Sequence, residues 1–290
     1  MLKNLFLSAG AMKSGTSWLY HVMRHHPQIH FSKRKEIHYF AHQAGIANIL
    51  SFEKRKQRSD QVIDRLNKKF NRSRITEIEL LENMDWYKHY MGEPLSNEWY
   101  CHLFDQYQRN RADIFCADFS NLSCHLESQD WELVRKTTGN LKVIYTLRDP
   151  VQRLWSHYKF HLKFTDHPQQ DVQNVDIEQF KSIVSNTNIF RNSLYSRNIR
   201  KMNSSLSASE FKIFYLDDFS NSPLATLNLL HQFLGISEFN YPDLDLQARR
   251  NTSADIGIPK EWKDYLGSML GDEIAELKSL GLFRDNWTDL

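Results

Sequence analysis

The stretch Leu7-Ser-Ala-Gly-Ala-Met-Lys-Ser-Gly-Thr-Ser-Trp18 constrains the fold of this 290-residue chain more than any other. An apolar run, Asn4 to Ser8, enters a loop of Gly, Ser and Thr, and an amphipathic helical pattern follows through Leu19, Val22 and Met23. A strand that turns directly into a helix belongs to the strand-helix units of a mainly parallel sheet. It also builds an anion site. Backbone N–H groups at the helix start point outward, the helix dipole favours negative charge, and Gly15 lets the backbone come close. Lys13 adds a cation, and Ser14, Thr16 and Ser17 add hydroxyl donors. Gly10 and Gly15 have the spacing of G-x-x-x-x-G-K-[ST], yet Thr16 stands where the Walker lysine belongs and the lysine comes earlier, at Lys13. An ATPase-type loop is therefore disfavoured. A plain strand-helix turn would need the glycine but not the clustered lysine and hydroxyls.

Three further apolar runs read as buried strands: Ile114 to Asp118, Leu141 to Leu147 and Phe211 to Leu216. After the last, a helix opens near Asp217-Asp218 as its cap and runs through Leu224, Leu227, Leu230 and Phe233 to a stop at Gly235. The expected fold class is α/β, a three-layer arrangement with a P-loop-like central parallel sheet flanked by helices, in one domain spanning 1–290. Residues 43–95 read instead as a helical insertion. Within it, Glu53 to Arg74 holds nine Lys/Arg against three acids. Such a segment is either a solvated face or a lid that attracts an anionic donor or acceptor. The aromatics between Trp86 and Tyr107 suit either core packing or stacking on an acceptor.

Composition narrows the function. With 37 Lys+Arg against 35 Asp+Glu the net charge is +2, so no global field points to nucleic acid or a membrane surface. Cys101, Cys116 and Cys124 form neither an even framework nor a CxxC pair, which argues against disulfides and structural zinc and for a reducing compartment. The apolar run at the start is too short for a signal peptide, and no stretch is long and apolar enough to span a bilayer. A cytoplasmic protein is expected, and its oligomeric state is open.

Two more stretches carry chemistry. In Arg148-Asp-Pro-Val-Gln-Arg-Leu-Trp-Ser156, Asp149 caps a helix that starts at Pro150, so Arg148 and Ser156 reach one side of the crevice at the strand ends. An arginine fork suits a terminal phosphate. The alternative is that Arg148 pairs with Asp149 or another carboxylate; Arg153 reads as a surface residue. In Lys35-Glu-Ile-His-Tyr-Phe40, an extended backbone would bring Glu36 and His38 to the same side, where either group can take a proton from a hydroxyl. The alternative is Glu36 paired with Lys33 or Lys35 on a surface turn. Arg249, Arg250 and Asn251 form a basic loop before a helix near Pro259, and histidines such as His25 and His26 read as surface residues.

Taken in this order, the stretches resemble the sulfotransferases that use 3′-phosphoadenosine 5′-phosphosulfate (PAPS). Lys13 to Trp18 looks like the loop that holds the donor's 5′-phosphosulfate. The resemblance implies that Lys13 stabilises charge on the departing phosphate, while Ser14, Gly15, Thr16, Ser17 and Trp18 line the donor. It also implies that Arg148 and Ser156 hold the 3′-phosphate and that Arg249, Arg250 and Asn251 close over it. Lys35 to Phe40 is similar to the K-E-x-H-x-F segment of heparan sulfate and related carbohydrate sulfotransferases. By that likeness Glu36 is the general base, His38 an ancillary contact and Lys35 an electrostatic stabiliser. The implied reaction is an in-line displacement from PAPS to a hydroxyl or amine, with no metal required and 3′-phosphoadenosine 5′-phosphate (PAP) as product. The acceptor would be a small molecule, glycan, lipid or polyketide. Carbohydrate sulfotransferases often carry E-K-[ST]-P-x-Y before the arginine site; here Cys116-Ala-Asp-Phe-Ser-Asn121 lacks the Lys, Pro and Tyr, which leaves the acceptor class open. Asp118 in that stretch either lines the pocket or caps a helix. The competing possibilities are a kinase-like nucleotide enzyme, which would need the missing Walker lysine, and a non-catalytic nucleotide-binding module, against which the presence of Lys13 and Glu36 speaks.

Overall fold

A computed structural model describes residues 1–162, 176–248 and 256–287. Its strands are β1 (Leu2–Ser8), β2 (Ile29–Phe31), β3 (Phe115–Asp118), β4 (Thr138–Leu147) and β5 (Phe211–Tyr215). They form one parallel sheet in the order β2-β3-β1-β4-β5. The helices are α1 (Thr16–Met23), α2 (Tyr39–Gln43), α3 (Phe52–Phe70), α4 (Glu77–Tyr90), α5 (Asn97–His102), α6 (Gln106–Arg109), α7 (Trp131–Arg135) and α8 (Pro150–Leu162). They continue as α9 (Ile177–Val184), α10 (Thr187–Phe190), α11 (Tyr195–Ser205), α12 (Leu216–Asn221), α13 (Pro223–Leu234), α14 (Lys260–Met269) and α15 (Gly271–Ser279). The α/β class with a central parallel sheet is as expected.

β1 is the middle strand, with Leu5 opposite Cys116 of β3 and Leu141 of β4. Its side chains alternate between two buried layers. Leu5 and Leu7 join Val143 and Tyr145 on one face, while Phe6 joins Ile144, Phe115, Leu19 of α1 and Leu227 of α13 on the other. Both faces are covered, which is why the strands read as continuous apolar runs rather than alternating ones.

Several expectations need correction. The edge strand β2 is only three residues long and carries no period that a sequence pattern could register. Leu216 opens a helix instead of ending a strand, and what reads as one helix from Asp217 to Gly235 is two, because Pro223 starts α13 afresh and the chain breaks at Ser222. Asp217 and Asp218 lie in the first turn of α12, where they accept bonds from Trp287 Nε1 (2.7 Å) and Arg284 (2.6 Å). His26 is buried, with Nε2 bonded to Ser237 O at 2.9 Å, and desolvation lowers its pKa; it is not a surface residue.

Residues 52–70 and 77–90 are helical. Ser51 caps α3, and a Thr76/Glu79 capping box starts α4. Most of the basic residues of α3 are exposed, but Arg55 is fully buried. It donates to Leu50 O, Tyr90 O and Gly92 O and pairs with Glu93, pinning α3 to the end of α4. Of the aromatics from Trp86 onward, Tyr87, Tyr90, Trp99, Tyr100 and Phe104 are buried in the core, so packing accounts for them. Among the described residues no helix is long and apolar enough to cross a membrane.

Candidate active site

The loop leaving β1 is stitched to the end of β4. Ala9 N–H donates to Ile144 O (2.9 Å), Thr146 N–H to Gly10 O (2.8 Å) and Ala11 N–H to Thr146 O (3.0 Å). The backbone then turns left-handed at Lys13 (φ 70°) and at Gly15 (φ 82°), the residue that caps α1. The left-handed backbone favours glycine here, and a Cβ on Gly15 would sit 2.5 Å from Leu216 Cδ1, so that side chain would have to shift. Trp18 and Leu19 N–H both bond back to Gly15 O (3.0 and 3.1 Å), which leaves the Thr16 and Ser17 amides ahead of them without an acceptor inside the helix. This is the end of a helix that favours an anion.

The expected donor residues are not equally placed. Lys13, Gly15, Ser17 and Trp18 are partly exposed, and Thr16 is buried. Ser14 is sealed inside beside Tyr195, and its amide turns back to Ala11 O at 3.2 Å. Lys13 Nζ lies 4.4 Å from the centre of the Phe160 ring, and the Trp18 ring packs on Phe219.

At the end of β4, Asp149 Oδ1 accepts from Val151 N–H (2.8 Å) and Gln152 N–H (3.2 Å), which is the cap expected from Asp149-Pro150. Asp149 is thereby committed to α8, while Arg148 donates through Nη1 to Lys13 O at 3.3 Å and so joins the two anion stretches. Ser156, the seventh residue of α8, is 8% exposed. Arg153 is not at the surface as its neighbours in sequence suggest. It is fully buried, and it donates to Ser193 Oγ (2.9 and 2.6 Å), Ile189 O (3.1 Å) and, at 3.5 Å, Met12 O in the loop. Burial lowers its pKa to about 10, which leaves it charged. Burial, with the charges of Arg153 and Lys13, pushes His157 down to about 3, so a neutral ring can accept from Arg153 at Nδ1 (3.1 Å). Arg249, Arg250 and Asn251 lie outside the described residues.

The Lys35–His38 segment meets the loop from the β2 side. Glu36 Oε1 is 3.1 Å from Lys35 Nζ, and Oε2 is 3.1 Å from His38 Nε2, so the two expected groups do converge. Burial pushes the Glu36 pKa up, but the His38 hydrogen bond and the Lys35 and His38 charges outweigh it and hold the carboxyl below its ordinary value. The same Lys35 Nζ donates to Ser17 Oγ at 3.1 Å. One ammonium thus spans the first turn of α1 and the carboxylate. Glu36 is paired with Lys35, but not on a remote surface turn.

Sequence reasoning missed what holds this segment. Phe119 N–H donates to Lys35 O (3.1 Å), Ile37 N–H to Asp118 Oδ1 (3.3 Å) and His38 N–H to Ser120 Oγ (2.7 Å). Ser120 Oγ in turn donates to Asp118 Oδ1 at 2.6 Å, and Tyr100 OH to Asp118 Oδ2 at 3.3 Å. Asp118 is fully buried, and its carboxylate is taken up by these donors. The one available signal was a polar Asp-Phe-Ser at the end of an otherwise apolar strand.

No curated protein matches the chain. Among solved structures, the sulfotransferase from Alicyclobacillus acidocaldarius is similar, with a TM-score of 0.61 and 18% identity over 98% of each chain. The sulfotransferase domain from the Synechococcus PCC 7002 olefin synthase follows with 0.55 and 16%, covering 99% of this chain and 97% of that one. The sulfotransferase domain from the curacin biosynthetic pathway gives 0.53 and 14%, over 93% of this chain and 98% of that one. At such identities the likeness establishes a shared fold. The sequence model of the sulfotransferase family matches residues 7–241, well over half of the chain and across all three stretches built above, and the chain therefore belongs to the sulfotransferase family.

Proposed function

We propose that this protein transfers a sulfuryl group from PAPS to a hydroxyl or amine by in-line displacement, with Glu36 as general base. The observation that carries this is the Lys35 ammonium, 3.1 Å from both Ser17 Oγ at the start of α1 and Glu36 Oε1. An anion seated at the helix start and a proton acceptor for the incoming nucleophile are thereby held together. The residues fit the donor: Gly15 takes the left-handed turn into α1, the Thr16 and Ser17 amides lack helical acceptors, and Lys13, Lys35 and Arg148 supply cations. Arg148, with Ser156, would hold the 3′-phosphate, the feature that separates PAPS from ATP. When bound, the donor supplies an activated sulfuryl group on a phosphate leaving group.

The chain's own part is positioning and charge stabilisation, as in phosphoryl transfer. Glu36, a carboxylate whose pKa is not raised and which is therefore ionised at neutral pH, accepts the acceptor's proton. Lys13 and Lys35 stabilise negative charge on the departing phosphate and the transferring group, and His38 steadies the base. Lys35-Glu36-Ile37-His38-Tyr39-Phe40 supports a place near the heparan sulfate and related carbohydrate sulfotransferases. The similar folds from an olefin synthase and from the curacin pathway support screening biosynthetic alcohols, polyketide or lipid, beside glycans. We read 1–290 as one catalytic domain, with 43–95 on the acceptor side. The buried free thiols Cys101, Cys116 and Cys124 support a cytoplasmic setting.

The test is a metal-free calorimetric titration with PAP, beside ATP plus Mg²⁺. Tight binding of PAP alone is expected; a preference for ATP with Mg²⁺ would overturn the donor assignment.

A further inference from the structure

The base segment is gripped by its backbone. Three consecutive residues at the end of β3 each hold one point of it: Asp118 takes Ile37 N–H, Phe119 N–H takes Lys35 O, and Ser120 Oγ takes His38 N–H. Between these points Glu36 makes its contacts to Lys35 and His38 through side-chain atoms alone. His38 is also left-handed (φ 61°), a conformation that costs a non-glycine residue about 1–3 kcal/mol and persists only where its surroundings hold it. Its amide bond to Ser120 Oγ, at 2.7 Å, is the shortest of the three grips.

Ser120 is itself fixed. Its hydroxyl hydrogen goes to Asp118 Oδ1 at 2.6 Å, which turns a lone pair toward His38 N–H. Asp118 accepts from Ser120 Oγ, Ile37 N–H and Tyr100 OH, and it is completely buried beside the Tyr100 ring, which stacks on Tyr39 at 5.0 Å. A buried carboxylate is costly unless several donors satisfy it. Here those donors are the ones that set the path of residues 37–38.

We propose that Asp118 and Ser120 form a latch that positions Glu36 and His38 for the transfer reaction, with Asp118 acting through Ser120 and the Ile37 amide rather than by touching substrate. The assignment rests on the base role proposed for Glu36. Asp118→Ala removes the acceptor of all three bonds, so residues 37–38 relax and Glu36 loses its alignment. Asp118→Asn keeps an oxygen for Ile37 N–H and Ser120 Oγ and restores the grip. The donor loop bonds to β4 and, through Cys124 N–H on Ala9 O (3.0 Å), to the turn after β3, and these bonds do not run through the Asp118 or Ser120 side chains, so PAP binding should be unchanged.

The test has two arms. Amide hydrogen exchange at Ile37 and His38, followed in the whole protein, should accelerate in Asp118→Ala and recover in Asp118→Asn, with exchange in α1 unchanged. This arm needs no turnover, so it judges the latch even if PAPS is not the donor, an outcome the PAP titration reports separately. In the second arm, turnover with saturating PAPS should fall on the order of 10- to 100-fold in Asp118→Ala, as expected for a misplaced catalytic group, with PAP affinity unchanged and turnover rescued in Asp118→Asn. If Asp118→Ala does not fold, Ser120→Ala removes the His38 grip alone and should accelerate exchange at His38 more than at Ile37. Unchanged exchange at both amides would overturn the latch. Accelerated exchange with unchanged turnover, or equal losses of turnover and PAP affinity, would overturn the positioning role.

Discussion

The donor loop and the base segment face each other across Lys35, yet they are built by different means. Residues 9–15 take their shape mainly from backbone: positive φ at Gly10, Lys13 and Gly15, carbonyls and amides shared with β4, and the start of α1, with Arg148 and Arg153 adding side-chain bonds to Lys13 O and Met12 O. Residues 35–38 are held by Phe119 N–H and by two side chains at and just past the end of β3, Asp118 and Ser120, through bonds that span 81 and 82 positions of sequence. A backbone-built site tolerates side-chain changes around it but not a change at its glycine. A site built by side chains is lost by single substitutions far along the chain.

The sharpest way to break this comparison is Glu36→Gln. If the base side alone carries proton transfer, turnover drops by about 10²- to 10⁴-fold while PAP affinity stays as it was, because the donor loop makes no use of that carboxylate. Stopped-assay kinetics beside calorimetry would read both. A variant that turns over normally removes Glu36 from the chemistry, and a parallel loss of PAP affinity would mean that the two regions are one.

The complementary change is Arg148→Ala on the donor side. Loss of charge-assisted bonds to a phosphate costs about 1.5–3 kcal/mol, roughly 10- to 100-fold in affinity. PAP binding should fall by that factor, and binding of 5′-AMP, which has no 3′-phosphate, should barely change. Equal losses for both ligands would place Arg148 at the loop it already touches through Lys13 O rather than at a 3′-phosphate.

How legible each region was follows from the same contrast. The strand-loop-helix at Asn4 to Met23, the cap at Asp149-Pro150 and the stop at Gly235 are local patterns, so the sequence discloses them directly. The convergence of Glu36 and His38 was readable for the same reason, being two residues apart. Arg153 was misjudged because its burial depends on Ser193 and Ile189, some 36 to 40 positions later. Nothing in the basic segment sets Arg55 apart from its exposed neighbours for the same reason, since Tyr90 and Gly92 lie 35 and 37 positions on. The latch was invisible because nothing near Asp118 in sequence says which amides it will meet. Each of these buried charges has, beside any local partner, at least one that lies far outside a local window.

A smaller effect tests the backbone nature of the donor loop. Gly15→Ala forces an L side chain into a left-handed conformation, at about 1–2 kcal/mol, and sets its Cβ against Leu216 Cδ1. Thermal melting should drop by a few degrees, roughly 2–4 °C per kcal/mol for domains approaching this size, and PAP affinity should weaken with it. Ser17→Ala, which removes a side chain without touching φ, should leave the melting temperature close to the starting value. If the two variants melted alike, glycine would not be what shapes the loop.

The smallest expected effect lies on the pH axis, and it separates the two regions without abolishing either. Burial alone would raise the Glu36 pKa; the His38 hydrogen bond is the leading influence that brings it below the ordinary value, followed by the Lys35 charge. With a depressed pKa, Glu36 is ionised throughout the neutral range, and its contribution to stability is present above the unfolded carboxylate pKa and lost as the pH falls through the lower folded value. The acid limb of turnover in the wild-type protein should therefore lie below the usual carboxylate range. His38→Ala removes the leading opposing influence and leaves burial in place, so the limb should move to higher pH. Arg148→Ala, on the donor side, should leave the limb where it was while weakening PAP. A limb that stayed still in His38→Ala would mean that Glu36 is not the group whose ionisation governs turnover. A limb that moved in Arg148→Ala as well would mean that Lys35 passes charge effects between two regions that are otherwise built apart.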